Sequence, residues 1–473
     1  AAAGDLWIGR LTFALGVTCA VGAGLAHLHG RRLAGAVPGA PGAGSRARAP
    51  VRARRAAWRA LAGCAAVLAA ATSPVAGLIL ALAAASWALG DALAGSPARA
   101  VRAHLAGALA PRLREVAPLL GGPVITVLAM QALFPEGGFE PYAASSLAAA
   151  LAVTLAFILA LPRDERVLRT AAWIYVPVNL LCEIPTAMGS NVQRYGILLA
   201  GPLLLGVLAQ GRTSRAGRPL LVALLAGMAT WVVWGPIVQT AEVIGEPSTR
   251  SAYYAPVERF LVRASAAGPI RVEVPFTRAH WEAALLAPSV PLARGWERQL
   301  DKRYNLSLES STLTAAQYRS WLDRYGVRFV ALPDAPLDQS SFAEARLIRS
   351  GLPYLREIFR NVHWRVFEVL GAAPLAVRLA GAGRGGAAAV AKQPRLLALT
   401  HTGFRLYASG PGRYLVKVHY TPYWQVIAGR GTVHSGPGGF TEVDAGGSGE
   451  LAVRARFSLG GAWGALAMAL EVL

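Results

Sequence analysis

The sequence predicts a polytopic α-helical membrane domain of about eight spans, followed by an extracytoplasmic α/β domain and a C-terminal β-sandwich. The 473 residues are 54% hydrophobic, which is too apolar for an ordinary soluble enzyme. Nearly all long uncharged runs precede residue 240, whereas charges, tryptophans and turn residues recur regularly from Glu242 onward. We therefore expect three domains, with boundaries at 1–240, 241–372 and 373–473.

Eight apolar segments are candidate membrane crossings, because a helix needs about 20 apolar residues to cross a bilayer core, with a lower limit near 17. They are Leu6–Leu28, Ala57–Thr72, Val75–Leu93, Val116–Phe134, Ala143–Leu161, Thr170–Ile184, Tyr195–Gln210 and Pro219–Ile237. The stretch 57–93 is too long for one crossing. Proline at 74 favours a hairpin that reverses at Ser73–Pro74. A single kinked span is the alternative, and it would invert everything downstream.

Arginines predict the orientation of these spans, since short cytoplasmic loops retain Lys and Arg. Four connecting segments hold almost all of the arginines in the first half, and the opposite faces hold only Arg10 and Arg194. The basic segments are 29–59, 94–115, 162–169 and 211–218. With these inside, the N-terminus and the chain after Ile237 lie outside. The expected location is the inner (plasma) membrane, multi-pass, with an extracytoplasmic C-terminal half.

Charge and cysteine usage exclude several classes of function. The net charge of +21 comes almost entirely from arginine, and no basic helix or aromatic-basic stripe is present, so a nucleic-acid partner is not expected. Cys19, Cys64 and Cys182 all lie in apolar runs, which excludes a disulfide framework or cysteine-ligated metal in the second half. No nucleotide loop, zinc spacing or Gly-x-Ser-x-Gly elbow occurs. The chain begins Ala-Ala-Ala-Gly, and we expect further sequence upstream.

The second half changes from mixed to β-rich patterning. The predicted helices are Tyr253–Ala266, Thr277–Leu286 with a threonine cap, Ala315–Tyr325, Phe342–Ser350 and Pro353–Asn361. The predicted strands of the α/β part are Pro269–Pro275, Gly326–Leu332 and His363–Leu370. From about Pro374 the helices are expected to stop. The strands of the β-sandwich are predicted at Arg405–Ala408, Arg413–Tyr420, Trp424–Ala428, Phe440–Val443 and Leu451–Phe457.

Polar groups in the exported loops are the candidate chemistry, because ionisable residues near a membrane usually line a cavity or pathway. Asn191 and Arg194 would face the same side if a helix starts at Ser190, and would seat a phosphate beside free backbone N–H groups. An interfacial cap with a snorkelling arginine is the alternative. Glu136 and Glu140, in the loop after residue 133, could act as a base or bind a cation, although a solvated loop is the plainer interpretation.

Aromatic and ionisable residues also concentrate in the second half, at Thr277–Glu282 and Arg294–Gln299. His280, Trp281 and Trp296 there suit sugar stacking and hydrogen bonding. In the β part, Tyr420, Tyr423 and Trp424 are expected to be exposed aromatics that could contact a glycan. A buried charge network that holds the domain together is an equal alternative. No metal ligand set is evident in the sequence, and the cofactor is left open, with a divalent cation as one choice.

Several motifs spread across the chain resemble the bacterial multi-spanning membrane proteins of the GT-C glycosyltransferase superfold, especially actinobacterial members with a C-terminal exported domain. They are Ser73-Pro-Val-Ala-Gly-Leu, Phe134-Pro-Glu-Gly-Gly-Phe, Gly189-Ser-Asn-Val-Gln-Arg194, Val274-Pro-Phe-Thr-Arg-Ala-His-Trp-Glu282, Arg294-Gly-Trp-Glu-Arg-Gln-Leu-Asp301 and Tyr420-Thr-Pro-Tyr-Trp424.

The resemblance implies transfer of a sugar from a polyprenyl-phosphate donor to an envelope glycan or lipid on the outer face, with membrane lipids as further partners. It also implies basic residues at the donor phosphate, a role that fits Arg194 with Asn191. The exported acid that serves as base in that superfold would precede residue 1, which leaves Glu183 or Asp5 as candidates. A transporter or lipid flippase and a non-catalytic envelope-assembly scaffold are the alternatives.

Overall fold

The computed structural model describes residues 10–35, 45–94, 101–135, 137–211, 217–379 and 393–471. The chain forms two compact units. The first, here called the helical unit, comprises residues 1–132 and 137–242. The second, here called the β-rich unit, comprises residues 133–136 and 243–473.

Eight α-helices make up the described part of the helical unit, and each of the eight predicted spans overlaps one of them. They are α1 (Leu11–Gly35), α2 (Ser45–Thr72), α3 (Pro74–Ala94), α4 (Val101–Leu133), α5 (Ala144–Ala160), α6 (Arg166–Leu181), α7 (Gln193–Ala209) and α8 (Gly217–Val243). Five helical segments of the described residues are long and apolar enough to cross a membrane: Leu11–Leu33, Pro74–Ala94, Ala106–Leu133, Gly189–Ala209 and Gly217–Val243. The count of about eight crossings stays a prediction.

The break between α2 and α3 is a sharp reversal. Only Ser73 separates the two helices, and a Cβ built on Gly77 would lie 2.5 Å from the Cβ of Ala70. Two residues seven apart in an uninterrupted helix are about 10.5 Å apart along its axis. The chain therefore turns back on itself at Ser73–Pro74, as the proline predicts, and a single kinked helix is excluded.

Arginines of the connecting segments gather at one end of the helical unit, here called the basic end. Several of them bind helix-terminal carbonyls or the few acids nearby. The contacts are Arg31 Nε with Glu115 Oε1 at 2.7 Å, Arg112 Nε with Asp91 Oδ2 at 3.0 Å, Arg59 Nη2 with Arg114 O at 3.0 Å, Arg169 Nη1 with Ile158 O at 2.7 Å and with Leu161 O at 3.0 Å, and Arg166 Nη1 with Leu93 O at 3.3 Å. These contacts bring the last turns of α1, α3 and α5 to the same end as the arginines of α2, α4 and α6, so the first six helices alternate in direction.

The β-rich unit begins with a mixed four-stranded sheet that has helices on both faces. Its strands are β1 (Val272–Glu273), β2 (Phe329–Pro333), β3 (Leu355–Arg360) and β4 (Trp364–Val369), in the order β1-β2-β4-β3. The helices are α9 (Ser251–Ala264), α10 (Glu282–Leu285), α11 (Arg298–Asn305), α12 (Ala315–Tyr325) and α13 (Phe342–Ser350). Along β2, Phe329 and Ala331 pack towards α9, while Val330 and Leu332 pack towards α12. Alternate residues of a strand point to opposite faces, so one strand serves both cores.

Helix α12 matches its prediction residue for residue because both of its ends are encoded locally. Thr314 accepts from the N–H of Gln317, and the Gln317 side chain accepts from the N–H of Thr314, which forms a capping box. Gly326 follows the last turn with φ +65°, a left-handed conformation that glycine adopts without a steric penalty.

The predicted helix Thr277–Leu286 is wrong over its first half. Thr277 Oγ1 donates to Glu282 Oε2 at 2.6 Å instead of capping a helix. His280 has φ +56°, which interrupts a right-handed helical path. Only Glu282–Leu285 is helical in this stretch. The predicted strand Pro269–Pro275 is likewise shorter, since β1 covers only two residues.

The predicted helix Pro353–Asn361 is wrong as well, because this segment is strand β3. It pairs antiparallel with β4, and its burial alternates with a period of two. Arg356 lies 2.5 Å from Glu368 on the neighbouring strand. Cross-strand pairing, which the isolated segment does not display, decides the outcome.

Two four-stranded antiparallel sheets follow, in the orders β10-β11-β8-β5 and β6-β7-β12-β9. The strands are β5 (Ala376–Arg378), β6 (Arg395–Thr400), β7 (Gly403–Ser409), β8 (Gly412–His419), β9 (Trp424–Ala428), β10 (Gly431–Ser435), β11 (Phe440–Ala445) and β12 (Ser448–Ala455). Leu406 and Val453 from one sheet share a core with Tyr414 and Val443 from the other. Strands β5, β6 and β10 were not predicted.

The expectation that helices stop near Pro374 is wrong at the end of the described chain. Residues Leu459–Glu471 form α14, an apolar helix that follows β12. The Gly-, Ala- and Leu-rich run after the predicted strand Leu451–Phe457 is the segment that forms this helix.

We expect Gly77→Ala to destabilise the helical unit. The new methyl group would lie 2.5 Å from the Cβ of Ala70, so the helices must separate, and overpacking of this kind costs about 1–3 kcal/mol. Gly22→Ala in α1 is the matched control, because no heavy atom lies within 4 Å of its Cβ position. Thermal unfolding in detergent measures both, and equal midpoints for the two variants would contradict the tight reversal.

Candidate functional site

Two loops that the sequence analysis singled out meet at the end of the helical unit opposite the basic end. The N–H of Glu140 donates to Thr186 O at 2.9 Å, and Ser190 Oγ donates to Glu140 Oε1 at 3.1 Å. Gly189 has φ +38°, and a Cβ there would lie 1.9 Å from Glu140 O. We call residues 137–143 and 182–194 the loop cluster. It brings the carboxylate of Glu140 next to the segment that carries Asn191 and Arg194.

Asn191 and Arg194 lie in the same part of the loop cluster, but the helix start differs from the predicted one. A 3₁₀ turn covers Gly189–Val192, and α7 begins at Gln193. The N–H of Gln193 already donates to backbone carbonyls of that turn, so fewer free donors face outward than a start at Ser190 would leave. The Arg194 guanidinium lies 4.5 Å from the ring centre of Phe13 in α1. A cation above an aromatic face is held in place there.

The other acidic residues predicted as candidate bases do not lie against the Asn191 segment in the described structure. Glu183 is exposed just after α6, and its backbone N–H donates to Leu180 O at 3.2 Å. Asp5 and Glu136 lie outside the residues that the structure describes. Of the candidate bases, Glu140 is the carboxylate that the fold places against the Asn191 segment.

A buried hydrogen-bond network fixes the loop cluster to α6. The Tyr142 hydroxyl donates to Asn179 Oδ1 at 2.7 Å, and Asn179 Nδ2 donates to Tyr175 O at 2.8 Å. The Tyr175 hydroxyl in turn donates to Val192 O at 3.0 Å. Asn179 has no exposed surface at all. Sequence reasoning missed this network, although an asparagine inside an apolar run was a usable signal, because buried polar groups need partners.

An apolar cleft of about 140 Å³ opens between α5, α6, α7 and α8. Its wall includes Ala150, Phe157, Leu203 and Trp231, and one end is lined by Ser146, Gln193 and Tyr195. From Ser146 to Phe157 it follows α5 over about 16 Å, at a rise of 1.5 Å per residue. The polar end adjoins Arg194 in sequence. The cleft therefore runs along α5 from an apolar wall to a polar end that lies next to the loop cluster.

The β-rich unit holds a second candidate site, centred on His280. This is the one non-glycine residue of the described chain with positive φ, and such backbone strain is concentrated at functional sites. Its imidazole stacks on the Trp296 indole, with ring centres 3.3 Å apart and planes 9° apart. Its Nδ1 lies 3.7 Å from Glu282 Oε1 and its Nε2 lies 3.5 Å from Asp338 Oδ2.

The charges around His280 favour its protonated form. Burial by itself lowers the pKa of His280, but Asp338 and Glu282 outweigh burial and leave that pKa above its ordinary value. For Asp338, burial by itself raises the pKa, but hydrogen bonds from His280, Arg298 and Ser340 outweigh burial and hold that pKa well below its usual range. Arg298 binds Asp338 with both terminal nitrogens, at 3.3 and 3.0 Å. The site therefore holds an imidazole between two acidic side chains that favour its protonated form.

The aromatic residues predicted to bind glycan have different surroundings. Trp296 is 43% exposed and Trp281 is 41% exposed, so both keep surface for a ligand. His280 and Arg298 already contact the Trp296 ring. Trp424 lies apart from this group: its Nε1 donates to His419 O at 3.2 Å and its ring meets Phe404 edge-on.

The expectation of exposed aromatics in the β part fails for Tyr423, which is 8% exposed. Its ring stacks on Phe457 and its hydroxyl is hydrogen-bonded. This tyrosine is a packing residue and offers no open face for sugar stacking.

A buried charge network lies beneath the His280 site. Arg294 binds Asp301 with two nitrogens at 2.9 Å each, reaches Glu344 at 3.2 Å and approaches Glu273 to 3.6 Å. All four side chains are at most 1% exposed. Burial, and then the negative charge of Glu344, raise the pKa of Glu273 well above its ordinary value. Burial and the neighbouring acids around a single guanidinium therefore favour the neutral form of Glu273.

No protein-family model, curated protein or solved structure matches this chain. Within the described ranges, no group of three or more His, Cys, Asp or Glu side chains is arranged to hold a metal ion. The function has to be argued from the two sites themselves.

We expect His280→Asn to flatten the pH dependence of stability. The folded-state pKa of His280 is raised, so its contribution is present below the unfolded pKa near 6.5 and is lost as the pH rises through the folded value. Asparagine tolerates positive φ but does not titrate. Thermal unfolding of the full chain at several pH values between about 6 and 8 measures the effect. The exposed His401→Asn is the control, and identical slopes for both variants would contradict the prediction.

We expect Glu273→Gln to stabilise the chain at pH 7–8 and to change little near pH 4. Since the folded pKa of Glu273 is raised, wild-type stability falls as the pH rises above the unfolded pKa near 4.5. One pKa unit corresponds to about 1.4 kcal/mol, and we expect a gain of at least that order. Denaturant unfolding measures it. Glu357→Gln in β3 is the control and should destabilise the chain slightly at pH 7–8, because Arg360 and Arg365 lower the pKa of Glu357 to about 2.

Proposed function

We propose that this protein is a membrane glycosyltransferase that moves a sugar from a polyprenyl-phosphate donor to a cell-envelope glycan or lipid on the outer face. The observation that carries the proposal is the apolar cleft with its polar end at Gln193, beside Arg194. A polyprenyl phosphate has the same two parts, a long apolar chain and a charged head. The proposed membership of the GT-C superfold rests on the motifs given above.

The proposed topology has eight crossings, with the basic end in the cytoplasm and the loop cluster outside. The segregation of arginines supports it, since guanidinium groups of short loops are retained inside. Helices α5 and α6 are shorter than an ordinary membrane span, and α2 carries several arginines in its first half. They would cross in the company of longer neighbours. The proposed domains, 1–240, 241–372 and 373–473, place both later domains outside.

The proposed reaction is a displacement at the anomeric carbon of the donor sugar. Glu140 takes the proton of an acceptor hydroxyl, whose oxygen attacks that carbon. The bond from the anomeric carbon to the phosphate oxygen breaks, and the polyprenyl phosphate leaves with the electron pair. Arg194, with Asn191, stabilises the charge on the leaving phosphate. Glu183 and Asp5 are the other candidate bases.

The β-rich unit would bind the acceptor glycan at the His280 site. What supports this role is the partly exposed Trp281 and Trp296 beside Arg298, whose side chain is 25% exposed and whose guanidinium lies 5.0 Å from the ring centre of Trp296. Sugar rings present apolar faces to indoles and hydroxyls to charged side chains. The transporter and scaffold alternatives remain as outcomes of the experiments below.

We expect Ala150→Trp to abolish binding of a polyprenyl phosphate to the purified chain, measured by native mass spectrometry in detergent. Ala150 lines the cleft, so an indole there would occupy the space of the alkyl chain. Ala148→Trp is the matched control, because Ala148 is exposed on the same helix and does not line the cleft. Equal lipid retention by both variants would remove the cleft from the proposal.

In membranes supplied with polyprenyl-phosphate sugars, we expect Glu140→Gln and Arg194→Ala each to lower transfer by about 100-fold. Arg163→Ala, an exposed arginine of the basic end, should leave transfer unchanged. If both variants fold and transfer at the wild-type rate, the loop cluster is not the catalytic site. If the wild type binds lipid but forms no product with any donor, the scaffold or transporter alternative is favoured.

A further inference from the structure

The last helix, α14, has the composition of a membrane-associated segment. No charged residue occurs between Leu459 and Leu470, and the helix begins after Arg454 and Arg456. These twelve residues rise about 18 Å at 1.5 Å per residue, which is less than the length of a usual membrane crossing.

One face of α14 is fitted to the β-rich unit by small residues. A Cβ on Gly461 would lie 2.7 Å from Tyr423 Cδ1, and one on Gly464 would lie 3.2 Å from the Cβ of Pro422. Ala465, on the same face, has no exposed surface. Residues at spacings of three and four share a helix face, so this side of α14 is committed to Pro422 and Tyr423.

The opposite face of α14 is apolar and uncovered. Leu459 is 79% exposed and Trp463 is 72% exposed, and Phe457, just before the helix, is 64% exposed. Leu459 and Trp463 are four residues apart and therefore lie next to each other on the helix surface. Exposed apolar surface of this kind marks an interaction site in natural proteins.

The contacts of Tyr423 show which environment this face meets. The Tyr423 hydroxyl donates to Leu133 O at 2.6 Å, and Leu133 is the last residue of the apolar segment Ala106–Leu133. The centre of the Tyr423 ring also lies 5.7 Å from the ring centre of Phe134 and 5.6 Å from that of Phe457. The end of a membrane-spanning helix lies at the lipid–water boundary, where aromatic side chains are enriched. Through Tyr423, α14 begins at that same boundary.

We propose that α14 lies in the membrane interface and that Leu459 and Trp463 contact lipid acyl chains. Lipid is favoured over a second protein because the exposed face continues from the boundary at Leu133. The arginines before the helix, Arg454 and Arg456, suit anionic head groups. The helix thereby anchors the β-rich unit to the bilayer surface, whatever reaction the protein performs.

Site-directed spin labelling of the full chain tests the proposal. Cys19, Cys64 and Cys182 are first replaced by Ala, and single cysteines are then introduced as Leu459→Cys, Trp463→Cys or Val362→Cys. Val362, between β3 and β4, is the matched control, since it is an apolar residue of the same unit and 85% exposed. In vesicles of phosphatidylcholine and phosphatidylglycerol, labels at 459 and 463 should collide more with oxygen than with a water-soluble nickel chelate. The label at 362 should show the reverse.

Two results would overturn the proposal. If the nickel chelate collides with the label at 463 as often as with the label at 362, α14 lies in water and not in the membrane interface. Protection from both reagents, with spin–spin coupling between labels, would show that a second copy covers the face. If the cysteine-free chain does not fold, brominated lipids offer a second measurement: Trp463→Phe should remove part of the quenchable fluorescence, and Trp296→Phe should not. Equal quenching of both variants would also overturn it.

Discussion

Placing a guanidinium group at the centre of a membrane-spanning helix costs about 2.5–3.5 kcal/mol, and the arginines of α1 to α6 that contact neighbouring helices lie together at the basic end. The arginines at the basic end remain beside helix termini, where they serve a second purpose. Arg166 and Arg169 donate to carbonyls at the last turns of α3 and α5, groups that have no partner within their own helices. These arginines of the basic end therefore also close helix ends.

In the β-rich unit, one buried arginine has a comparable organising role. Arg294 joins carboxylates from β1, α11 and α13, so three separate elements are tied to a single side chain. Breaking such a network is costly because a charge is left buried without a partner. The same guanidinium lies 4.0 Å from the Phe276 ring, which meets His280 edge-on. Phe276 thus connects the Arg294 network to the His280 site.

Local signals predicted much of the fold, and the failures occurred where distant partners decide. Thr314, Gln317 and Gly326 encode the ends of α12 on their own, and Pro74 encodes the reversal after α2. The segment of β3 was predicted to be a helix. Its charged residues instead pair with Glu368 and Arg365 on β4, and no local pattern indicates these partners. Thr277 was predicted to cap a helix, but its hydroxyl donates to Glu282. The positive φ of His280, which lies between these two residues, could not be inferred from the local sequence.

The candidate sites show the same division. The sequence pointed to the two loops of the loop cluster from their composition, yet the contact of Glu140 with Ser190 depends on the packing of α5 to α7. Tyr175 and Asn179, which brace the cluster, and Asp338, which faces His280, were not singled out. Each is ordinary in its local context, and its role arises only from what the fold brings near it.

The backbone contact between Gly189 and Glu140 has an evolutionary consequence. Any side chain at 189 would overlap the carbonyl of Glu140, so the two loops cannot drift apart by independent substitutions. A descendant with another residue at 189 must already have reshaped the loop after α4. Changes to the backbone of either loop are therefore coupled, whereas this contact does not restrict the side chain at 140 beyond its Cβ.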